Sequence, residues 1–571
     1  MNYYREKPIK EIDLNQTLYT TIRKVCLEYP DYDAIGFLGN SITYRELLRK
    51  VDKLADAYAM AGIKEGDAVA ISTINMPCVQ ENLLALSKLG ATSKWIDLRI
   101  KSKDLVKYIN ESNCKMVVVF DGVLDSIVEI IDEITAKKVL VVSPKDYLKP
   151  VVRVLANIKD RKEGKHISLP KDKRFEYYKN FLQSGSGNSK IEPAEFKKDR
   201  PSLIVQSSGS TGMPKSIVHT EYNFNSAMQK EAYSDLPLRV GRSMWVGIPP
   251  FIIYGLNNSI YAALMFGMKA EMSPFVSETA LFDDLGKYDC ACAAPFHYRY
   301  LYNKVLELQG SELEQTMKKI ARVDVFISGG DKISPRELLN MQHVLGRKIL
   351  NGYGNNELAG AAVITPIYAS KPAAVGVPMW GIEVDAFDIS TSEKCSKGIE
   401  GELCFSSDNL FVEYIDNEVE TANIKQIHKD GKYWIHTGDM GYIDEEGFVY
   451  ISGRYKRLII RSAYKIAPDS IEKVIDELPF VKECVVVGVP DKEDKEAPMA
   501  FVCLENEWKD KSDVVESEIK NKCNIELPDY KIPKHIKFIE QIPYHNGKQA
   551  FKELEKIGAE YVEELGDANE S

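Results

Sequence analysis

No run of about 18 consecutive apolar residues occurs anywhere in this 571-residue chain, so no membrane-spanning helix is expected. The N-terminal stretch MNYYREKPIKEIDLNQ has no apolar segment of the kind a secretory signal requires. Positive charge is not in excess. The 74 Lys and Arg against 84 Asp and Glu leave a formal net charge of −10, which argues against a generic nucleic-acid role. Closely spaced cysteines are scarce: of ten, only Cys290 and Cys292 lie near each other, and one C-x-C is weak ground for a metal site. Reduced, buried thiols and a cytoplasmic location are the expectation. There is no internal repeat. There is also no Walker phosphate loop. The nearest match, QSSGSTGMPKSIVHT (206–220), would need a second glycine at 214 and has Pro214, which offers no backbone N–H.

What is present is ordinary for a multidomain globular protein, with 44% hydrophobic and 28% charged residues. Short β-branched runs at 67–77, 114–120 and 137–143 alternate with helical stretches at 81–90 and 104–112. Such alternation predicts parallel sheets covered by helices. A second series follows at 202–208, 244–250, 289–295, 323–330 and 348–354, each run ending in a Gly, Ser or Pro loop. Ligands of open α/β sheets bind at the carboxyl ends of strands, so these loops are candidate sites. From about 365 to 450 short strands and turns predominate, including GELCFSS and DEEGFVYISG, and mixed α/β character returns after SGRYKR. A boundary near 454–456 is expected.

The Ser/Thr/Gly-rich loop is followed in order by NGYGNNE (351–357), HTGD (436–439), GRYKRLIIRSAYKIAPDSIE (453–472), LPDYKIP (527–533) and NGK (546–548). Together these motifs resemble the acyl-adenylate-forming superfamily of acyl-CoA synthetases, peptide-synthetase adenylation domains and luciferases. The resemblance spans about 35 to 555. It implies an α/β fold: a large N-terminal domain over 1–454, with two doubly wound α/β subdomains and a small β-barrel-like subdomain, then a smaller mobile α+β C-terminal domain over 457–571. Lys456 stands at the hinge position. The implied chemistry has two halves. A carboxylate attacks the α-phosphate of ATP and releases pyrophosphate; a thiol then attacks the acyl carbon and displaces AMP.

The resemblance also assigns roles. Ser207, Ser208, Gly209, Ser210, Thr211 and Gly212 would wrap the β- and γ-phosphates, with Lys215 supplying positive charge. Ser216 stands where the family usually has glycine. Gly330, Asp331, Asn351, Gly352, Tyr353 and Gly354 would line the adenine side, Tyr353 stacking and Gly354 allowing close backbone approach. Glu357 would hold Mg2+, a hard cation suited to a carboxylate on phosphates. Asn356 replaces the usual threonine before it. Asp439 would accept the ribose hydroxyls, with Ile451 and Arg454 close to the nucleotide. Lys548 would bridge carboxylate and α-phosphate in the transition state, making Lys548, Lys215 and Glu357 the catalytic set.

Ile252, Tyr254, Gly255 and Gly329 are expected at the acyl pocket. Amino-acid-activating relatives have an aspartate where Ile252 stands. An isoleucine cannot pair an ammonium, and burying one unpaired is costly. The substrate is therefore expected to be a small-molecule carboxylic acid without an α-amino group. Ala463 aligns with a glycine beside the pantetheine tunnel of thioester-forming relatives. Coenzyme A is the first reading for the acceptor, and a separate carrier protein is the alternative. A non-catalytic nucleotide-binding protein is the reading from another class; the presence of Lys215, Glu357, Asp439, Arg454 and Lys548 argues against it.

Residues 144–175 break the composition, with ten Lys and Arg against four Asp and Glu. Two readings stand: a solvated surface helix with a polar loop, or a weak peripheral membrane contact.

Overall fold

A computed structural model describes residues 3–570 apart from 164–166, 188–190, 208–213, 276, 462–463, 492–493 and 546–547. It describes the backbone alone of 161, 456, 464–465, 510, 512–513, 545, 548 and 565–570. The chain divides into two compact units, residues 1–383 with 406–435, and 384–405 with 436–571.

The first unit is built on two sheets. A seven-stranded sheet runs in the order Phe175–Tyr177, Lys138–Val142, Met116–Phe120, Ala68–Ser72, Thr92–Trp95, Pro201–Gln206, Ser216–Thr220. All its pairings are parallel except the last. Its central strands Ala68–Ser72, Met116–Phe120 and Lys138–Val142 are mostly buried Ala, Val, Ile and Leu, the composition of strands covered on both faces. Pro201–Gln206 belongs here, next to Thr92–Trp95, although its place in the chain groups it with the second series.

The second sheet has nine strands. Ile349–Asn355, Val325–Ser328, Cys290–Ala293, Ser243–Val246, Lys269–Met272 and Asp33–Phe37 form its parallel centre, with antiparallel strands at both edges. Asp33–Phe37 reaches this sheet from the start of the chain. The pairs Cys290↔Val325 and Phe326↔Ile349 set the register that brings 294, 329 and 351 to one end. Trp245, Tyr298, Leu301, Phe326 and Ile349 centre a core beneath those ends.

A sheet that lies mostly in the second unit contains strands Glu383–Phe387, Gly401–Ser406, Tyr433–Ile443 and Val449–Arg454. Another pairs the long strands Val481–Asp491 and Lys495–Leu504 antiparallel along their length, with Ile459–Arg461 and His535–Phe538 against the second of them. Helices Asp469–Asp476 and Ser512–Glu526 close a core of Ile459, Ile471, Ile475, Val486, Val502 and Ile519.

All ten cysteines are free thiols, nine of them buried. Among the described residues no helix is long and apolar enough to cross a membrane.

Candidate active site

The loop after Pro201–Gln206 is closed at its neck by a reciprocal pair. The Ser207 amide donates to the Lys215 carbonyl at 2.9 Å, and the Lys215 amide donates to Ser207 Oγ at 2.9 Å. The Tyr108 hydroxyl donates to the Pro214 carbonyl at 2.7 Å. Ser208, Gly209, Ser210, Thr211 and Gly212 lie outside the described residues. Ser216, where a glycine is usual, is buried and donates to Glu111, which in turn pairs with buried Lys94 at 2.5 Å. The hydroxyl gives the partly buried Glu111 carboxylate a second donor beside Lys94.

Lys215 Nζ pairs with Glu420 and sits 4.8 Å from the centre of the Tyr414 ring. The Tyr414 hydroxyl donates to Glu357 Oε1 at 2.6 Å. Burial, then the adjacent Glu357 carboxylate, pushes the Tyr414 phenol far up, so it stays a donor. One tyrosine thus joins the cation proposed for phosphate to the carboxylate proposed for metal. Tyr414 and Glu420 escaped the sequence reading because no local pattern links them to partners 57 and 205 residues away.

Asn356 is held on both sides of its amide. Nδ2 donates to the Gln206 carbonyl at 2.8 Å, and Oδ1 accepts from the Ile253 amide at 3.3 Å. Its backbone carbonyl faces His219 Nε2 at 2.8 Å. Burial lowers the His219 pKa to about 4, so the ring stays neutral. Asn356 therefore knits the end of Pro201–Gln206 to the turn before Ile253–Gly255. The close approach at Gly354 is also internal: a Cβ there would lie 2.0 Å from the Gly360 carbonyl of the paired strand. Asn351 is buried, and its carbonyl accepts from the Thr365 amide at 2.8 Å. Gly352 and half-buried Tyr353 continue the same strand, opposite Ile364 and Val363.

Gly329, at the end of Val325–Ser328, faces Gly352 and the Tyr254 ring; a Cβ would meet them at 3.3 and 3.4 Å. Tyr254 donates toward the carbonyl of Ile327 at 3.3 Å. Gly255 abuts the carbonyls of Ile248 and Pro249, where a Cβ would lie within 2.5 Å. Ile252 is half-buried immediately before Ile253–Gly255. Gly330 is exposed, and Asp331 accepts from the Lys332 amide at 2.8 Å. Ser207, Tyr254, Gly329, Gly352, Asn356 and Glu357 thus gather in the first unit around the ends of the strands.

Past Gly255 the chain forms a π-helical turn, Leu256–Tyr261. In it buried Asn258 donates to Glu231 Oε1 at 3.0 Å. Burial raises the Glu231 pKa to about 7, only partly offset by Asn258. A carboxyl raised from 4.5 when unfolded gives its full stabilisation below pH 4.5 and loses it as pH rises through about 7. Glu231→Gln is therefore expected to leave the thermal midpoint near the wild-type value at pH 4.5–5 and to raise it relative to wild type at pH 7.5, through a stability difference on the order of 3 kcal/mol at most. Thermal unfolding of both proteins at the two pH values checks this; an equal offset at both contradicts it.

In the second unit, Asp439 is buried and pairs with Arg454 Nε at 2.8 Å across the strand pair. The turn presenting Asp439 is fixed by Glu402. One oxygen accepts from the Gly438 amide at 2.9 Å, and the other lies 2.7 Å from His436 Nδ1. Gly438 has φ +72°, which suits glycine. The Asp439 amide donates to Thr437 Oγ1 at 3.0 Å, and that hydroxyl donates to the Leu403 carbonyl. Ile451 pairs with Gly441 in the same strand pair.

Lys456 lies in a 3-10 turn, Tyr455–Arg457, between two anchored arginines. Arg454 is held by Asp439, and Arg457 by Glu472 at 3.0 Å and the Phe551 ring at 3.6 Å. Lys548 opens the second strand of the hairpin Tyr544–His545 and Lys548–Gln549. Glu483 pins that hairpin, accepting from Tyr544 and from Gln549 Nε2. Ala463 lies outside the described residues.

Residues 22–415 match the AMP-binding enzyme family, and residues 470–548 match the AMP-binding enzyme C-terminal domain. The chain belongs to the AMP-binding enzyme family and is a ligase. It is similar to a long-chain-fatty-acid–CoA ligase of Bacillus subtilis (strain 168), 25% identical over 533 residues, covering 93% of this chain and 92% of that one. It is also similar to the fatty acid–[acyl-carrier-protein] ligase ScoC of Streptomyces coeruleorubidus, 26% identical over 556 residues and covering 94% and 96%. Its fold matches the crystal structure of the anthranilate CoA ligase AuaEII in complex with anthranoyl-AMP, with a TM-score of 0.80 at 18% identity over 97% of this chain and all of that one.

Proposed function

We propose that this protein is an ATP-dependent carboxylic acid–CoA ligase acting through an acyl adenylate. The observation that carries this reading is the Lys215–Tyr414–Glu357 cluster at the neck of the 207–215 loop, where a cation and a carboxylate share one aromatic. Lys215 exchanges Glu420 for phosphate oxygens. Glu357 offers the hard oxygen donor that Mg2+ prefers, and Tyr414 orients it. Bound there, Mg2+ would neutralise phosphate charge. A carboxylate oxygen of the acid attacks the α-phosphorus, pyrophosphate leaves, and Lys548 stabilises the developing charge. The thiolate of coenzyme A then attacks the acyl carbon, and AMP leaves with the electron pair of the broken C–O bond. Asp439 and Arg454 hold the ribose, and Lys456 is the pivot between the halves.

The names of the relatives support a fatty or aryl acid as substrate class, and Ile252 supports an acid without an α-ammonium. ScoC favours a carrier-protein thiol as a second reading of the acceptor. The experiment is to measure pyrophosphate release and thioester yield separately for a panel of acids, with coenzyme A and with a pantetheinylated carrier protein. Thioester on coenzyme A supports the reading; product on the carrier alone overturns its second half.

Two variants refine it. Ala463→Leu is expected to slow thioester formation by about 5- to 150-fold and to spare pyrophosphate release, because overpacking the thiol tunnel that the family resemblance puts beside it costs about 1–3 kcal/mol. Unchanged thioester yield would place the residue away from the thiol. Glu402→Gln is expected to raise the KM for ATP about tenfold with kcat within a few-fold, the scale of one charge-assisted hydrogen bond lost behind Asp439. A fall in kcat at constant KM would contradict that positioning role.

A further inference from the structure

The helix Pro150–Lys162 is docked with its apolar stripe outward. Val151, Val154, Leu155 and Ile158 follow the i, i+3, i+4, i+7 spacing of one helical face. With Val152 beside them, all are between 46% and 73% exposed. The side turned inward carries Arg153, Ala156, Asn157 and Asp160, each half-buried. Asp160 pairs with Lys145 in the turn Pro144–Tyr147, on which the helix rests. That turn is held in the first unit by the Tyr147 hydroxyl donating to Glu81 at 2.8 Å and by Asn40 Nδ2 donating to the Tyr147 carbonyl at 2.6 Å. The inverted amphipathic helix is thus a fixed feature.

Single exposed apolar residues are ordinary, but a contiguous stripe marks an interaction surface. No other helix among the described residues exposes more than two large apolar side chains. Exposed Lys149, Lys159 and Lys162 stand at the ends of the stripe. The surrounding segment 144–175 is basic in a chain of net charge −10.

These features favour one occupant. The stripe is wholly aliphatic, without the Tyr and Trp that dominate protein hot spots. A second copy in a two-fold pair would bring the same lysines together. Aliphatic side chains rimmed by lysines match acyl chains beneath anionic phosphates, with the lysine stems lying along the apolar layer. We propose that Pro150–Lys162 docks this protein on an anionic lipid bilayer, lying in the interface plane with Val151, Val154, Leu155 and Ile158 in the acyl layer and Lys149, Lys159 and Lys162 on lipid phosphates.

The test is co-sedimentation of the full chain with equimolar phosphatidylcholine–phosphatidylglycerol vesicles, and with phosphatidylcholine alone. Binding is expected to the anionic vesicles at low salt and to fall sharply at about 1 M salt, where the screening length is about 3 Å. Replacing Lys149, Lys159 and Lys162 with glutamine weakens it by about fivefold per lysine. The triple variant Val151→Ser, Leu155→Ser, Ile158→Ser weakens it by roughly a hundredfold, since three buried aliphatic groups are lost, and leaves the thermal midpoint unchanged. In Leu155→Trp, the indole emission shifts to the blue on adding anionic vesicles. No binding at low salt overturns the proposal. So does binding that the serine variant retains. A wild-type dimer abolished by the serine variant, with no vesicle binding, overturns it in favour of a second copy.

Discussion

Lys548→Ala slows acyl-adenylate formation by about 10²–10³-fold, the effect of removing one preorganised charge from a transition state. Thioester formation from pre-made acyl adenylate stays within a few-fold of wild type. The expectation rests on timing. With the proposed pivot at Lys456 turning the C-terminal domain between the half-reactions, Lys548 serves the charge on the α-phosphate in the first alone. Glu483 gives the lysine a defined base by anchoring residues on both strands of the hairpin that carries it. Rapid-quench measurement of each half-reaction separates the outcomes. Equal loss in both halves would remove Lys548 from its assigned role.

Asp439→Ala lowers kcat/KM for ATP by about 10²–10⁴-fold, mostly through KM. A buried carboxylate accepting two hydroxyls makes charge-assisted bonds of about 1.5–3 kcal/mol each, and alanine forfeits both. The carboxylate is set in place before nucleotide arrives, by Arg454 from the facing strand and by the Glu402-held turn from behind. The loss extends to deoxy-ATP analogues only in part, because an analogue lacking one hydroxyl never made the second bond. Initial rates with ATP and 2′-deoxy-ATP on both proteins test this. An equal penalty for both nucleotides in the variant would mean that Asp439 does not bind ribose.

The strands were legible because their code is local. Met116–Phe120 and Lys138–Val142 are apolar β-branched runs bounded by polar or turn residues, and they fall where that pattern places them. Their order was not. Pro201–Gln206 looks in sequence like the first strand of the second sheet, yet it pairs with Thr92–Trp95, more than a hundred residues earlier. Asp33–Phe37 joins Lys269–Met272 across a still longer gap. Parallel pairing is decided by which faces can be covered by helices, and no short window carries that information. The same divide runs through the candidate site. Lys215, Glu357 and Asp439 could be named because they sit in recognisable motifs. Tyr414, Glu420 and Glu402, which orient them, are single polar residues in unremarkable stretches. Gly354 and Asn356 were legible as special positions but not in their use: the glycine admits its neighbouring strand, and the asparagine ties two loops together.

In the proposed mechanism the acid is activated on the α-phosphate of ATP before any thiol takes part. The most direct test is acid-dependent exchange of labelled pyrophosphate into ATP by the purified protein, with no coenzyme A and no carrier protein present. Exchange is expected to require both a carboxylic acid and Mg2+, to be lost in Lys548→Ala, and to give AMP and never ADP when a thiol is then added. Exchange absent with every acid tried, or ADP and phosphate formed in place of AMP and pyrophosphate, would contradict it.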